Sequence, residues 1–282
     1  GLYYGKIYSR KAQVGVFMKE AMYYKTEDGK RVRCLLCPHR CIIDDGGLGI
    51  CRARKNDGGR LYSLNYNRLS SVAMDPIEKK PLYHFYPGSH ILSVGTFGCN
   101  FRCSFCQNYQ ISQQDPEMED ITAERLVEIA RSRSDSIGIA YTYNEPSIWY
   151  EFVYESAKLA REAGLQSVLV TNGYISEEPL KQLLPYIDAM NIDVKGFNDR
   201  YYRNICGGRI EPVKRTVEIA SSSCHVEITT LLVTGLNDGI EEVRAIAEWL
   251  SSISRDIPLH LRRYFPNYQL DREPTPVKTL VA

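Results

Sequence analysis

The sequence predicts an α/β fold: an open, partial (β/α)6 barrel preceded by a small cysteine-rich metal-binding region. Three observations lead there. From Ile91 onward, short apolar runs alternate with amphipathic stretches, the pattern of right-handed βαβ units and a parallel sheet. About six such units are present, too few for a closed eight-stranded barrel. Seven of the nine cysteines fall into two groups, which points to metal ligation rather than a disulfide scaffold.

The chain divides at about residue 90. Residues 1–90 are expected to hold an N-terminal extension and the metal-binding region, and residues 91–282 the barrel. Gly1 to Phe17 precede Met18 without a clear pattern and are read as a natural extension or, in part, an expression scar. Cys34, Cys37, Cys41 and Cys51 follow among glycines and basic residues, with short strand-like pieces such as Leu61 to Tyr66. Asp75 to Gly88 contains three prolines, which prohibit a long helix.

The expected strands are Ile91–Phe97, Ile137–Tyr143, Gln166–Thr171, Ala189–Val194, His225–Val233 and Ile257–Leu261. Helical stretches lie between them at Ala123–Arg133, Ile148–Ala163, Glu177–Leu184, Pro212–Ala220 and Ile240–Leu250. In the second, Ile148, Phe152, Leu159 and Ala163 share one face. Thr122 and Ser176 stand where N-caps belong, each with acidic residues in the following turn. A last helix is expected to open at Thr275-Pro276, with Thr as cap and Pro in the first turn. It is expected to be cut short by the end of the chain.

At 282 residues, with 44% hydrophobic and 24% charged content, the chain can bury a sizeable core. A formal net charge of +1 argues against a general polyanion binder. No apolar run reaches the length needed to cross a bilayer, and the N-terminus lacks a signal-type apolar core. No membrane partner and a cytoplasmic location are therefore expected.

The most informative stretch is Cys99-Asn-Phe-Arg-Cys103-Ser-Phe-Cys106. Iron–sulfur clusters are normally held by four cysteines. Three closely spaced thiolates with no fourth nearby leave one iron of a [4Fe–4S] cube open. Closed structural zinc needs four donors, and this stretch offers neither a histidine nor a fourth cysteine. Every predicted strand also ends in polar residues: Tyr143-Asn144-Glu145-Pro146, Thr171-Asn172-Gly173, Asp193-Val-Lys195-Gly196, Gly235-Leu-Asn237-Asp238, and His260 with Arg262 and Arg263. Singly, Asn-Gly is an ordinary turn former, Glu145 a helix N-terminal charge and His260 a core histidine. Parallel barrels carry their chemistry at the C-terminal strand ends, so the convergence of these groups marks a site.

Cys34, Cys37, Cys41 and Cys51 supply four thiolates, enough for a closed site. Zinc and a second Fe–S cluster both use such a set, and the spacing leaves both open. Zinc would staple a small Gly-rich segment, whereas an auxiliary cluster would pass electrons to or from the barrel. His39 reads as a bystander, Cys224 as a buried core residue, and Cys206 as core or reactive, with core favoured. The Glu78-Lys79-Lys80 run with His84 lines the substrate opening or forms a solvated loop.

The cysteine loop followed by these strand ends resembles the radical S-adenosylmethionine (SAM) superfamily. Within it, the chain most resembles the radical SAM enzyme of the AmmeMemoRadiSam system, from about Met18 to Ala282. The resemblance is carried by Cys34-Leu-Leu-Cys-Pro-His-Arg-Cys41, Asp75-Pro-Ile-Glu-Lys-Lys-Pro-Leu-Tyr-His84, Gly98-Cys-Asn-Phe-Arg-Cys-Ser-Phe-Cys-Gln-Asn108 and Tyr141-Thr-Tyr-Asn-Glu-Pro146. The chain is also similar to pyruvate formate-lyase activating enzymes.

The resemblance implies that SAM chelates the open iron and is cleaved reductively to a 5′-deoxyadenosyl radical. That radical would abstract hydrogen from an unidentified substrate, whether protein, RNA or metabolite. It implies that Glu145 holds the methionine ammonium and that Asn144 supports that strand end. Thr171 and Asn172 would supply the third-strand contact, and Asp193 and Lys195 a polar pair near the ribose or methionine carboxylate. His260 would be the sixth-strand contact, and Phe105 would pack near adenine. A low-potential donor such as ferredoxin or flavodoxin would reduce the cluster. The alternative of a glycyl-radical-enzyme activase is weakened because no Asp-Gly-Pro-Gly segment precedes the loop and the extra cysteines lie before it. A non-catalytic Fe–S or zinc module for electron transfer or sensing does not explain an open iron surrounded by polar strand ends.

Overall fold

The computed structural model describes residues 18–281, so the reading of Gly1 to Phe17 lies outside the described residues. Six parallel strands form where the apolar runs place them: His90–Gly95, Ser136–Tyr141, Gln166–Thr171, Ala189–Asp193, His225–Leu232 and Leu259–Arg263. Each pairs with the next in the chain, as expected of consecutive βαβ units. The sheet remains open, with Leu259–Arg263 at one edge.

The other edge is a strand the sequence did not suggest. Ser71–Pro76 runs antiparallel to the first barrel strand, from Ser71 opposite Gly95 to Pro76 opposite His90. The sheet therefore draws in residues from before position 90. Proline is tolerated there because an edge strand needs ladder donors on one side only.

Helices Ala123–Ser132, Tyr150–Glu162, Glu177–Leu183, Ile210–Ser221 and Ile240–Ile253 fill the expected intervals. The Thr122 hydroxyl caps the first, accepting from the Arg125 N–H at 3.2 Å. Ser176 occupies the N-cap position of the third without a side-chain cap bond. The second helix opens as a 3-10 turn over Pro146–Trp149, because the Glu145 carboxylate takes the Ser147 N–H at 2.9 Å. Its buried face runs through Phe152, Val153, Ala157 and Ala160, rotated from the expected stripe; Leu159 and Ala163 are only half-buried.

Thr275 does not cap the last helix, which spans Lys278–Val281. Its hydroxyl accepts from the Tyr264 N–H at 2.9 Å and donates to Leu232 O at 2.5 Å, tying the tail to the sheet.

The N-terminal region is built from short antiparallel ladders, among them Tyr24–Thr26, Val32–Cys34 and Ile42–Ile43. A buried ion pair anchors it to the barrel. Arg54 Nη1 lies 2.8 Å from the Glu151 carboxylate, and Nη2 donates to Ile148 O at 3.1 Å. Glu151→Ala is expected to cost about 3–5 kcal/mol, because it strands a buried guanidinium. Urea unfolding measures this, and a loss under about 1 kcal/mol would mean that solvent relieves Arg54. Among the described residues, no helix is long and apolar enough to cross a membrane.

Candidate active site

The cysteine loop leaves the first parallel strand through Thr96-Phe97-Gly98, and three other strand ends pin it. Gly98 has φ +87°, and a Cβ there would lie 2.4 Å from the Cys51 carbonyl oxygen, so only glycine fits. From the second strand end, Asn144 Nδ2 donates to Gly98 O at 2.9 Å, while its Oδ1 accepts from the Thr96 N–H at 3.1 Å. From the third, Asn172 Nδ2 donates to Asn100 Oδ1 at 2.8 Å, and Asn100 Nδ2 donates to Tyr174 O at 2.7 Å. Beyond the fourth, Cys206 O and Ile205 O accept from the Arg102 and Ser104 N–H groups at 2.8 and 3.0 Å.

The three thiols sit in different electrostatic settings. Cys103 is pulled below the ordinary thiol range by a hydrogen bond with the Cys206 thiol; burial opposes this and the Lys195 ammonium assists it. Burial pushes Cys99 well up, with the nearby Glu145 carboxylate adding to the effect. Burial also raises Cys106, whose Sγ lies 3.2 Å from the Ser112 hydroxyl. Cys99 Sγ accepts from the Phe101 N–H at 3.3 Å and from Asn172 Nδ2 at 3.7 Å.

Glu145, Thr171 and Asn172 form one buried group. Glu145 Oε1 accepts from the Thr171 hydroxyl at 2.6 Å, and Oε2 accepts from the Asn172 N–H at 2.7 Å. Burial raises the carboxyl pKa, and these donors counter it. Asp193, Lys195 and Phe105 form a second group. Lys195 Nζ lies 2.9 Å from Asp193 Oδ2 and 5.9 Å from the centre of the Phe105 ring. Burial alone would lower the Lys195 pKa, but the negative charge of Asp193, with that of the Cys103 and Cys206 sulfurs when deprotonated, holds it well above the usual lysine range.

His260 does not join these groups through any hydrogen bond among the described residues. Its Nε2 lies 2.5 Å from Glu227 Oε2, and the Tyr83 ring packs on it with centroids 4.9 Å apart. The local pattern of a histidine near a strand end carries no information about which face its partner occupies.

Several residues were missed or read differently from the sequence. Cys206 is fully buried, as a core residue would be, but its thiol meets Cys103. Lys80 is not on a solvated loop: it is buried, with Nζ 2.6 Å from Asp75 Oδ2, and the Tyr143 hydroxyl donates to the same oxygen at 2.7 Å. Burial would raise Asp75, but Lys79, Lys80 and Tyr143 hold its carboxyl well below the usual range. Asn237 Nδ2 donates to Lys195 O at 2.7 Å, bracing the fourth strand end from the fifth.

The N-terminal cysteines pack directly behind the loop. Cys51 O is the atom that excludes a side chain at position 98, and the His39 ring Nε2 lies 2.7 Å from Asn100 O. His39 is thus a strut between the two cysteine regions. Burial pushes Cys34 up to about 11, against the pull of the Arg54 guanidinium. Burial also raises Cys37 well up, with Cys34, Cys51 and Cys41 close enough to add to it.

These donor sets fit the groups that the chemistry requires. An all-thiol set with N–H groups aimed at sulfur suits an iron–sulfur cluster. Thr96 Oγ1, Ser104 Oγ, Ser147 Oγ, Tyr201 OH and Thr234 Oγ1 are buried without a hydrogen-bond partner among the described residues. Buried polar groups are normally satisfied, so such orphans on the loop and the segments that follow the strands suit a polar ligand there.

Comparison with known proteins bears on the family and the fold. The Radical SAM superfamily model matches residues 93–250. The uncharacterized protein MJ0808 of Methanocaldococcus jannaschii is 45% identical, over 93% of this chain and 80% of its own length. The pyruvate formate-lyase-activating enzyme of Clostridium pasteurianum is 27% identical, over 55% of this chain and 67% of its own. Among solved structures, TYW1 with a lysine-pyruvate adduct bound matches with a TM-score of 0.50 at 17% identity, covering 77% of this chain and 79% of that one. At that identity the likeness is one of fold.

Proposed function

The chain belongs to the radical SAM superfamily, and from that premise we propose that it is the radical SAM enzyme of an AmmeMemoRadiSam-type system. When bound, a [4Fe–4S] cluster and SAM, the cofactors of the superfamily, would supply radical chemistry by reductive cleavage of the sulfonium, directed at a C–H bond of a substrate. In this reading Cys99, Cys103 and Cys106 hold the cluster. The observation that carries it is the buried union of Glu145, Thr171 and Asn172 beside Cys99, at the C-terminal ends of adjacent strands.

The remaining roles follow from the residues' own chemistry. Glu145 is the acceptor for the methionine ammonium, oriented by Thr171 and the Asn172 N–H. Asn144 fixes the loop against the second strand. Asp193 and Lys195 offer both charges to the ribose and the methionine carboxylate. Phe105, 5% exposed, provides an apolar wall for adenine. The catalytic unit takes in Ser71–Pro76 and the residues that follow it, and the N-terminal region before it is a separate metal-binding unit. There Cys34, Cys37, Cys41 and Cys51 hold zinc or a second Fe–S cluster, with the buried Arg54 cation offsetting the thiolate charge. Electrons come from a low-potential donor of the ferredoxin or flavodoxin kind. A second reading, a glycyl-radical-enzyme activase, is favoured by the similarity to the Clostridium enzyme and predicts a glycyl radical on a partner protein.

The test is anaerobic reconstitution with iron and sulfide, reduction with dithionite and addition of SAM. Formation of 5′-deoxyadenosine and a changed EPR spectrum of the reduced cluster are expected. Absence of both would leave a passive iron–sulfur module. Glu145→Gln is expected to raise the SAM concentration for half-maximal cleavage about tenfold or more, with iron content unchanged, through loss of a charge-assisted hydrogen bond. Metal analysis of the Cys34→Ala/Cys37→Ala variant decides between zinc and iron at the N-terminal site.

A further inference from the structure

Three of the chain's five histidines converge on one carboxylate, outside the site described above. Glu227 lies in the fifth parallel strand and is completely buried. His260 belongs to the sixth strand, at the open edge of the sheet. His84 comes from the segment after the antiparallel edge strand, and its side chain is 61% exposed. A strand, a neighbouring strand and a distant loop thus deliver their donors to one point at the sheet's open edge.

The hydrogen bonding there is oversubscribed. Glu227 Oε1 faces the His84 N–H at 2.8 Å and His225 Nε2 at 2.9 Å. Glu227 Oε2 faces the Tyr83 N–H at 3.1 Å, His84 Nδ1 at 3.2 Å and His260 Nε2 at 2.5 Å. A carboxylate has about four lone-pair sites, two on each oxygen. Oε1 is therefore filled by its two donors, while Oε2 has three groups for two sites. A cation shared by Oε2, His84 Nδ1 and His260 Nε2 removes the excess: it takes one lone pair of Oε2, leaves the other to the Tyr83 N–H, and uses the unprotonated nitrogen of each imidazole. These three atoms all lie within 4.8 Å of one another.

We propose that His84, Glu227 and His260 form a binding site for a divalent first-row transition-metal ion. Two imidazoles and one carboxylate are the donors of zinc and iron(II) sites, and they disfavour magnesium and calcium. His225 and the His84 N–H hold the far carboxylate oxygen and so aim Oε2 at the ion, the orienting arrangement that metal ligands usually have. Three protein ligands leave coordination positions free for an exogenous oxygen or nitrogen donor. Arg262 Nη2 donates to the Tyr83 hydroxyl at 2.9 Å, and the Tyr83 ring packs on His260 with centroids 4.9 Å apart, so a cation and an aromatic ring border the cluster. That surrounding suits an anionic ligand.

The test uses the full chain with its cysteine sites already loaded, so that added metal finds no vacant cysteine cluster. Anaerobic calorimetric titration with Zn2+ is expected to show one equivalent bound in the wild type. His84→Ala, at an exposed side chain that leaves the fold intact, is expected to weaken this binding by at least about a hundredfold. His260→Ala is expected to do the same, and His90→Ala to leave it unchanged. Failure of the wild type to bind Zn2+, or binding indifferent to both His84→Ala and His260→Ala, would overturn the proposal and leave Glu227 as a hydrogen-bond hub only. Neither outcome bears on SAM cleavage, which is read separately.

Discussion

Cys103→Ala is expected to remove the iron of the barrel cluster and all 5′-deoxyadenosine formation, while Cys206→Ala keeps about four irons per chain at that site and retains cleavage. Both thiols are buried and adjacent, so burial alone does not distinguish them. What differs is their place in the chain. Cys103 lies in the loop with Cys99 and Cys106, whereas Cys206 ends a helical segment whose carbonyl oxygen is already engaged by the Arg102 N–H. Cys206 thus stands beside Cys103 and lowers its pKa, and the surroundings of ligand sulfurs tune a cluster's potential. Cys206→Ala should therefore shift the midpoint potential while preserving the iron. Iron analysis and product assay of the two variants decide the matter. Loss of iron in Cys206→Ala would make it a fourth ligand, closing the corner on which SAM binding depends.

Gly98→Ala is expected to lower metal content at both cysteine sites together and to destabilise the chain by about 2–4 kcal/mol. The left-handed backbone at φ +87° is itself costly for alanine. The larger effect is the contact of 2.4 Å with Cys51 O, a backbone atom that cannot rotate away. Relief requires Cys99 and Cys51 to separate, displacing one thiol from each set. Chemical denaturation with parallel iron and zinc analysis measures both effects. Loss of metal from the barrel site alone would show that the N-terminal region is not mechanically coupled to the loop.

The six parallel strands and the helices between them were legible in the residues because each depends on a local period: apolar runs for strands buried on both faces, 3.6-residue spacing for the helices. The antiparallel strand Ser71–Pro76 was not, since a short segment ending in proline becomes a strand only when His90–Gly95 lies beside it. The helix stripe through Phe152 and Ala157 was rotated from expectation because the sheet, rather than the helix, selects the face. Glu145, Thr171 and Asn172 were found as separate strand ends, and their shared hydrogen bonds follow from the register of the second strand on the third, Tyr141 opposite Leu169.

By itself the amino-acid sequence determined the type and order of the elements, the three-thiol loop and the polar character of each strand end. Those features rest on residue chemistry and on spacings of a few positions, which no distant contact alters. Only the tertiary structure decided which polar groups meet. It set Cys206 against Cys103, braced the loop with His39 and Cys51, buried Lys80 on Asp75, and moved His260 to Glu227. The physical reason is that such meetings depend on strand register and loop packing between residues as far apart as His84 and Glu227, 143 positions along the chain. A local pattern carries no record of either.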